Sequence, residues 1–165
     1  LTSFVGEKPL EAQRKLVDSL SRTRVTLDPG EIYAMRGLAS LRRMLRKCFA
    51  LFPNESELKL LTGKGYKRGS ECLLNEGVRI VGVKLGSRGC YVTDGEEAHL
   101  VEAYDAEVVD TTGAGDAFCA GFLYGLVRDM GLYECGRLGN LIASHCIRRM
   151  GAREGLPRAS CLQGI

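Results

Sequence analysis

A glycine-rich turn between two apolar segments constrains the fold of this chain more than any other feature. The run Glu107-Val108-Val109 predicts a short strand, and the segment from Ala114 to Arg128, apolar nearly all round, predicts a central buried helix. Between them, small residues at positions 113–115 let the backbone approach a ligand and expose its N–H groups. Because those amides open a helix, the helix dipole and the unsatisfied donors favour an anion. The pattern therefore predicts a strand–turn–helix unit that binds an anionic group.

Asp116 stands in the first turn of that helix, beside the predicted anion. A carboxylate there can accept the proton of an alcohol that attacks a phosphate, although an isolated aspartate can also simply complement the helix dipole. A dinucleotide-binding fingerprint is the weaker interpretation, because Phe118 stands where its third glycine belongs. A Walker loop is excluded, because Gly65 rather than Ser or Thr follows Lys64. The segment favours phosphoryl transfer to a hydroxyl group.

Composition argues against several other classes of protein. The formal net charge is only +3 and the basic residues are dispersed, so nucleic acid is not an expected partner. The densest basic run is interpreted as the solvated face of an amphipathic helix: Arg42, Arg43, Arg46 and Lys47. The other face of that helix would carry Leu38, Leu41, Leu45 and Cys48. No segment is long enough to span a membrane and the start has no leader-like pattern, so we expect a cytoplasmic protein without a membrane partner.

The cysteines suggest neither a metal site nor disulfides. They are odd in number, widely spread and without a C-x-x-C pair, and the chain has only two histidines. This favours free buried thiols in a reducing compartment. The seven are Cys48, Cys72, Cys90, Cys119, Cys135, Cys146 and Cys161.

Strand and helix patterns alternate along the chain, which predicts an α/β fold with a mostly parallel sheet in one domain, 1–165. An Asp94-Gly95 turn predicts a hairpin at one edge of that sheet. The expected strands are 25–27, 49–52, 79–85, 90–93 and 99–101; the expected helices, besides the basic one, are 54–61, 70–75, 114–128 and 133–150.

Four motifs, taken in order, resemble the ribokinase-like, or PfkB, carbohydrate kinase family. They are Asp28-Pro29-Gly30, then PNESE at 53–57 with Leu61-Thr62-Gly63, then KLGSRG at 84–89, and finally DTTGAGD at 110–116. The resemblance covers most of the chain and implies a three-layer α/β sandwich. It further implies an ATP- and Mg²⁺-dependent kinase that phosphorylates a hydroxyl of a sugar or nucleoside.

The resemblance also assigns roles to individual residues. Asp116 would be the general base, and Gly113, Ala114 and Gly115 would form the anion hole. Asn54 and Glu57 match the N-x-x-E pair that organises magnesium and the phosphates, although the same residues also fit a helix capping box.

The remaining residues implied by the resemblance border the nucleotide or a cation. Lys84 would pair with phosphate charge, although it and the turn after it also fit an ordinary β-turn. The nucleotide-binding set is completed by Gly86, Gly89, Thr111, Asn140, Ala143 and Ser144. Many relatives have a monovalent-cation site, and a cation such as K⁺ would here lie near Asp110, Thr112 and Gly151.

The chain departs from the family at its start. Members of the family run longer at the N-terminus, where the first strands, the sugar-contacting residues and a β lid lie, whereas this chain begins at about the helix before Asp28. Three explanations stay open: a fragment, a remainder supplied by another chain, or lost substrate phosphorylation. An open sheet edge would also favour a homo-oligomer. The alternative function is therefore a catalytically silent nucleotide-binding module, and the identity of the acceptor stays open.

Overall fold

The computed structural model describes residues 1–158, and Cys161 lies outside them. Helices and strands alternate as expected for an α/β chain. In chain order they are α1 Glu7–Ser19, β1 Val25–Leu27, α2 Gly30–Ala34, α3 Gly37–Leu45, β2 Cys48–Leu51, α4 Glu55–Thr62, α5 Tyr66–Asn75, β3 Ile80–Lys84, β4 Cys90–Thr93, β5 Ala98–Val101, α6 Ala114–Val127 and α7 Leu132–Cys146.

The strands form a five-stranded sheet in the order β1-β2-β3-β4-β5. β1 pairs with β2, and β2 with β3, in parallel, as predicted. β4 and β5 are joined by residues 94–97, where the Asp94 N–H donates to the Glu97 carbonyl. So short a connection between neighbouring strands makes a hairpin, which confirms the interpretation of Asp94-Gly95.

The residues group into two compact units. The first comprises residues 1–85 and 91–99, and the second comprises residues 86–90 and the chain from Leu100 onward. The expectation of a single domain over 1–165 stays a prediction.

The core of the first unit collects the apolar faces of its helices and strands. α3 buries Leu41 and Leu45, while the arginines between them face outward. Arg42 pairs with Glu76 and Arg43 with Asp18, both at partly exposed positions. Arg42 and Arg43 therefore form a solvated helix face, as predicted, whereas Arg46 and Lys47 follow the end of α3. The fully buried side chains of this core include Leu10, Leu27, Leu51, Leu58, Leu73, Val81 and Val83.

In the second unit, α6 and α7 pack closely because glycines line their contact. A Cβ added at Gly121 would lie 2.6 Å from the Leu138 carbonyl oxygen, and one at Gly139 would lie 2.7 Å from the Phe118 ring. Contacts this short exclude a larger side chain at either position. The two helices thus form a fixed support for the turn that precedes α6.

Several element predictions were wrong in detail. Residues 107–109 are irregular rather than a strand, because the Val109 N–H bonds the Ile147 carbonyl beyond α7 instead of a neighbouring strand. α6 buries one side only, and Val127 on its other side is 84% exposed. α7 ends at Cys146 rather than at 150, and α5 begins at Tyr66 rather than at 70. Cys48 is the first residue of β2 and does not belong to the apolar face of α3.

Within residues 1–158, no helix combines the length and the apolar character needed to cross a membrane.

Candidate active site

In the first unit, the carboxyl ends of three parallel strands carry the predicted polar residues. Asp28 comes directly after β1, and Lys84 is the last residue of β3. Asn54 lies after β2, separated from it by two residues. Asn54 and Lys84 form a parallel bridge, supported by the Lys84 N–H on the Pro53 carbonyl at 2.9 Å. Because carboxyl ends of parallel strands share one sheet edge, the polar side chains meet there.

Asn54 and Glu57 form a capping box at the start of α4. The Glu57 N–H donates to the Asn54 side-chain oxygen at 2.9 Å, and the Asn54 N–H donates to Glu57 Oε2 at 2.8 Å. The Asn54 Nδ2 also donates to Glu57 Oε1 at 2.8 Å. Burial raises the pKa of Glu57, and its hydrogen bond from Asn54 and the charge of Lys84 partly oppose that rise. The pair is therefore rigid and poorly hydrated.

Lys84 lies beside an acidic partner. Its ammonium contacts Asp28 Oδ2 at 2.5 Å, and the two side chains are only 15% and 17% exposed. The charge expected to meet phosphate is thus held by Asp28 in this conformation. Sequence reasoning used Asp28 only as a motif residue and missed this pair; an aspartate directly after a buried strand was the available signal.

The unit holds no dense acidic cluster for a metal. Among residues 1–158, no group of three or more His, Cys, Asp or Glu side chains could hold an ion. Mg²⁺ is usually bound by one or two carboxylates, several waters and substrate phosphates. The oxygens of Asn54 and Glu57 fit that shared mode of binding, because each carboxylate oxygen keeps a further lone pair.

In the second unit, Asp110 organises the turn before α6. Its Oδ1 accepts from the Thr112 N–H at 2.9 Å and from the Thr112 hydroxyl at 2.7 Å. Its Oδ2 accepts from the Gly151 N–H at 2.8 Å. These bonds, the one from Gly151 foremost, lower the pKa of Asp110. The predicted trio Asp110, Thr112 and Gly151 is therefore brought together.

The turn itself requires glycine at 113. Gly113 has φ 80°, and a Cβ there would lie 2.6 Å from the Ala152 Cβ. Its conformation ends the turn and starts α6 at Ala114. The Ala114 N–H donates to the Thr111 carbonyl at 3.1 Å, so one of the three predicted anion-hole amides is used within the turn.

Asp116 lies in the first turn of α6 and is exposed. The amides of a first helical turn lack intrahelical acceptors and point along the helix axis toward an incoming anion. Asp116 is thus accessible to solvent beside a helix N-terminus, the arrangement that the sequence predicted.

Cys146, the last residue of α7, lies directly behind the turn. Its Sγ is within hydrogen-bonding distance of the Thr112 carbonyl, at 3.6 Å, and of the Ala152 carbonyl, at 3.5 Å. The side chain is fully buried, and burial, followed by the negative charges of Asp110 and Asp116, raises the pKa of the thiol. Sequence reasoning treated this residue only as a buried thiol, because no motif links it to Thr112.

Of the residues predicted to border the nucleotide, some make hydrogen bonds or close contacts within the protein and others are accessible to solvent. Asn140 Nδ2 donates to the Val101 and Glu102 carbonyls at 3.0 and 2.9 Å, and Ser144 donates to its own helix. Both side chains are buried.

Gly89 packs against the same segment, since a Cβ there would lie 2.0 Å from the Val101 oxygen. Gly86 faces open space, Thr111 is exposed and Ala143 is half-buried. The accessible members of the set are therefore Gly86, Thr111 and Ala143.

Comparison with known families gives a match over most of the chain. Residues 20–159 match the model of the pfkB family carbohydrate kinases. The chain belongs to that family. The resemblance inferred from the four motifs is thereby confirmed, and Asp116, the Gly113 turn and the Asn54–Glu57 pair all lie inside the matched segment.

Individual relatives are similar over nearly the whole chain. An uncharacterized sugar kinase of Archaeoglobus fulgidus is 44% identical over 162 residues, which are 96% of this chain and 64% of that protein. A cytidine kinase of Thermococcus kodakarensis is 35% identical over 149 residues, 87% of this chain and 54% of that protein. The chain thus spans roughly half to two-thirds of the length of these relatives.

Solved structures support the fold. A ribokinase of Thermotoga maritima superposes with a TM-score of 0.79 at 25% identity, over 92% of this chain and 51% of that one. A ribokinase of Arabidopsis thaliana complexed with ribose and ATP has a TM-score of 0.79 at 30% identity, over 88% of this chain and 49% of that one. The ribokinase-like α/β fold predicted from the sequence is therefore confirmed.

Proposed function

We propose that this chain carries phosphoryl-transfer and nucleotide-binding residues of an ATP-dependent kinase that phosphorylates a hydroxyl of a sugar or nucleoside. The observation that carries the proposal is the turn 110–116: a helix N-terminus organised by Asp110, with the exposed carboxylate of Asp116 in its first turn. The names of the relatives, which include sugar and cytidine kinases, support the acceptor class.

In this proposal Asp116 is the general base. It takes the proton of the acceptor hydroxyl as the hydroxyl oxygen bonds to the γ-phosphorus. The bond between that phosphorus and the β–γ bridging oxygen breaks, and ADP leaves. The exposure of Asp116 supports this role, because the acceptor must reach the carboxylate.

Gly113, Ala114 and Gly115 are proposed to stabilise the transferring phosphoryl group through their amides. Because the Ala114 N–H already donates to Thr111, its contribution requires that bond to be shared or released. The amides of Gly113 and Gly115 therefore carry the larger part of the proposed anion hole.

Asn54 and Glu57 are proposed to organise Mg²⁺, which supplies positive charge that shields the phosphate oxygens. Their mutual hydrogen bonds hold both oxygen-bearing groups in one orientation before the ion arrives. Lys84 is proposed to neutralise phosphate charge only if it leaves Asp28.

The solvent exposure of the remaining residues decides which of them are proposed to contact the nucleotide. Gly86, Thr111 and Ala143 are accessible and are proposed to border the nucleotide directly. Asn140, Ser144 and Gly89 are proposed to shape that border through the backbone, since their own contacts are internal.

The test measures ADP formation from ATP in the presence of a panel of sugars and nucleosides. The unmutated protein and the Asp116→Asn variant are assayed in parallel. Loss of a general base lowers transfer by about 10²- to 10⁴-fold, while ATP binding should persist. Asp105→Asn, at an exposed site outside the turn, is the matched control and should transfer normally. Transfer that survives in Asp116→Asn contradicts the assignment. ATP binding without transfer to any acceptor supports the nucleotide-binding module instead.

A further inference from the structure

The turn before α6 is anchored mainly to the C-terminal end of α7. The Val109 and Asp110 N–H groups both donate to the Ile147 carbonyl, at 2.8 and 3.2 Å. One residue earlier in α7, the thiol of Cys146 faces the Thr112 carbonyl. The backbone directly before Gly113 is thus held from both sides by protein groups.

The carboxylate in this region has its charge compensated by nearby dipoles. Asp110 accepts from two backbone N–H groups and one hydroxyl, distributed over both of its oxygens. Hydrogen bonds of this kind stabilise a carboxylate without a counter-ion. A cation is therefore not needed to neutralise Asp110.

Two backbone carbonyls close to the expected cation position already have a hydrogen-bonding partner. The sulfur of Cys146 lies within 3.6 Å of the Thr112 oxygen and 3.5 Å of the Ala152 oxygen. A thiol carries one proton, so it donates to one of these carbonyls at a time. A cation coordinated by both oxygens would compete with the thiol for their lone pairs.

We propose that Cys146 is a positioning residue, whose buried thiol donates to the Thr112 or the Ala152 carbonyl and so holds the phosphate-binding turn without a monovalent cation. The proposal rests on the proposed function for the role of the turn. It departs from the expectation that K⁺ lies near Asp110, Thr112 and Gly151. Cys146 contacts neither nucleotide nor acceptor and acts only through the backbone before Gly113.

The first experiment needs no nucleotide. Thermal unfolding of the full chain is followed in KCl and in choline chloride at equal ionic strength, for the protein, Cys146→Ala and Cys146→Ser. The protein and Cys146→Ser, whose hydroxyl can also donate, should unfold at the same temperature in both salts. Cys146→Ala removes the thiol donor from the carbonyls and should become more stable in K⁺. A saturable stabilisation of the unmutated protein by K⁺ overturns the proposal. An unfolding temperature of Cys146→Ala that is the same in both salts overturns it as well.

The second experiment measures the affinity for Mg-ATP in the same salts. Loss of one hydrogen bond that shapes the turn should weaken binding in choline chloride by about two- to tenfold in Cys146→Ala, with recovery in K⁺. Cys135→Ala is the matched control, because Cys135 is also a buried thiol of α7 but bonds the Met130 carbonyl. It should lose folding stability without any change in affinity or response to K⁺. Equal losses of affinity in both alanine variants overturn the positioning role. If no form binds ATP, the proposed function fails, and the experiment without nucleotide still decides the role of Cys146.

Discussion

The two groups of candidate residues are held together by different kinds of contact. In the second unit, Asp110 is held by backbone amides and the turn by carbonyls and a thiol. In the first unit, the Lys84–Asp28 contact joins two charged side chains, and only the Asn54–Glu57 capping box adds backbone bonds. A backbone-held turn is fixed before any ligand binds. An ion pair between charged side chains can exchange partners when phosphate or a cation arrives.

The pKa shifts follow the same division. Hydrogen bonds lower the pKa of Asp110, whereas burial raises the pKa of Glu57. One carboxylate is thus stabilised by its surroundings as an anion, and the other is disfavoured as an anion until positive charge approaches. The difference suggests a preformed turn in the second unit and a ligand-responsive edge in the first.

The largest expected effect comes from overfilling the turn. Gly113→Ala combines a left-handed φ with a Cβ that meets Ala152, and should lower the free energy of unfolding by about 2–4 kcal/mol. Gly151→Ala is the matched control: its φ is 86°, but nothing lies within 4 Å of the added Cβ, so only about 1–2 kcal/mol should be lost. Chemical denaturation compares the two. Equal losses would mean that the close packing of the turn does not matter.

The ion pair at the sheet edge should give the next largest effect. A double-mutant cycle with Asp28→Asn and Lys84→Met should give a coupling energy of about 1–3 kcal/mol, because both groups are mostly buried. The cycle for Arg43 and Asp18, whose arginine is 73% exposed, should give about 0–1 kcal/mol. Stability in denaturant measures both cycles. A coupling at Asp28–Lys84 no greater than at the exposed pair would contradict a charge-held edge.

The smallest effect is an opposite dependence on pH. The folded-state pKa of Glu57 is raised, so its contribution to stability is greatest below its ordinary value of 4.5 and is lost as pH rises through the folded pKa. The pKa of Asp110 is lowered, so its contribution is present above its ordinary value of 3.8 and is lost as pH falls through the folded pKa.

Denaturation between about pH 2 and about pH 7 separates the two groups. In Glu57→Gln, the decrease in the free energy of unfolding that Glu57 causes as pH rises should disappear. In Asp110→Asn, the decrease that Asp110 causes as pH falls should disappear. If the pH dependence of the free energy of unfolding changed in the same direction in both variants, the proposed difference between the two regions would be contradicted.

Local features of both regions could be predicted from the sequence. Asn54 and Glu57 are three residues apart, so their capping box follows from spacing alone, and Gly113 signals its turn directly. The parallel strands and the hairpin follow from the alternation of patterns and from Asp94-Gly95.

The features that were missed join residues far apart in sequence. Asp28 and Lys84 are 56 residues apart, and Cys146 lies 34 residues from Thr112. Local spacing carries no signal for such contacts. The strand predicted at 107–109 was wrong for the same reason, since its amide partner is Ile147 rather than a neighbouring strand.

The most direct test of the central claim, that the turn 110–116 binds the phosphates of ATP, is thermal unfolding with and without Mg-ATP. At about one hundred times the dissociation constant, bound ATP should add about 2.7 kcal/mol of stability to the protein. Gly115→Val should abolish that gain, because it adds a branched side chain at a position proposed for the anion hole. Gly131→Val, at the exposed N-terminus of α7, should keep it, because an added Cβ there meets only the flexible Glu134 side chain. A full gain in Gly115→Val, or none in the folded unmutated protein, would contradict the account.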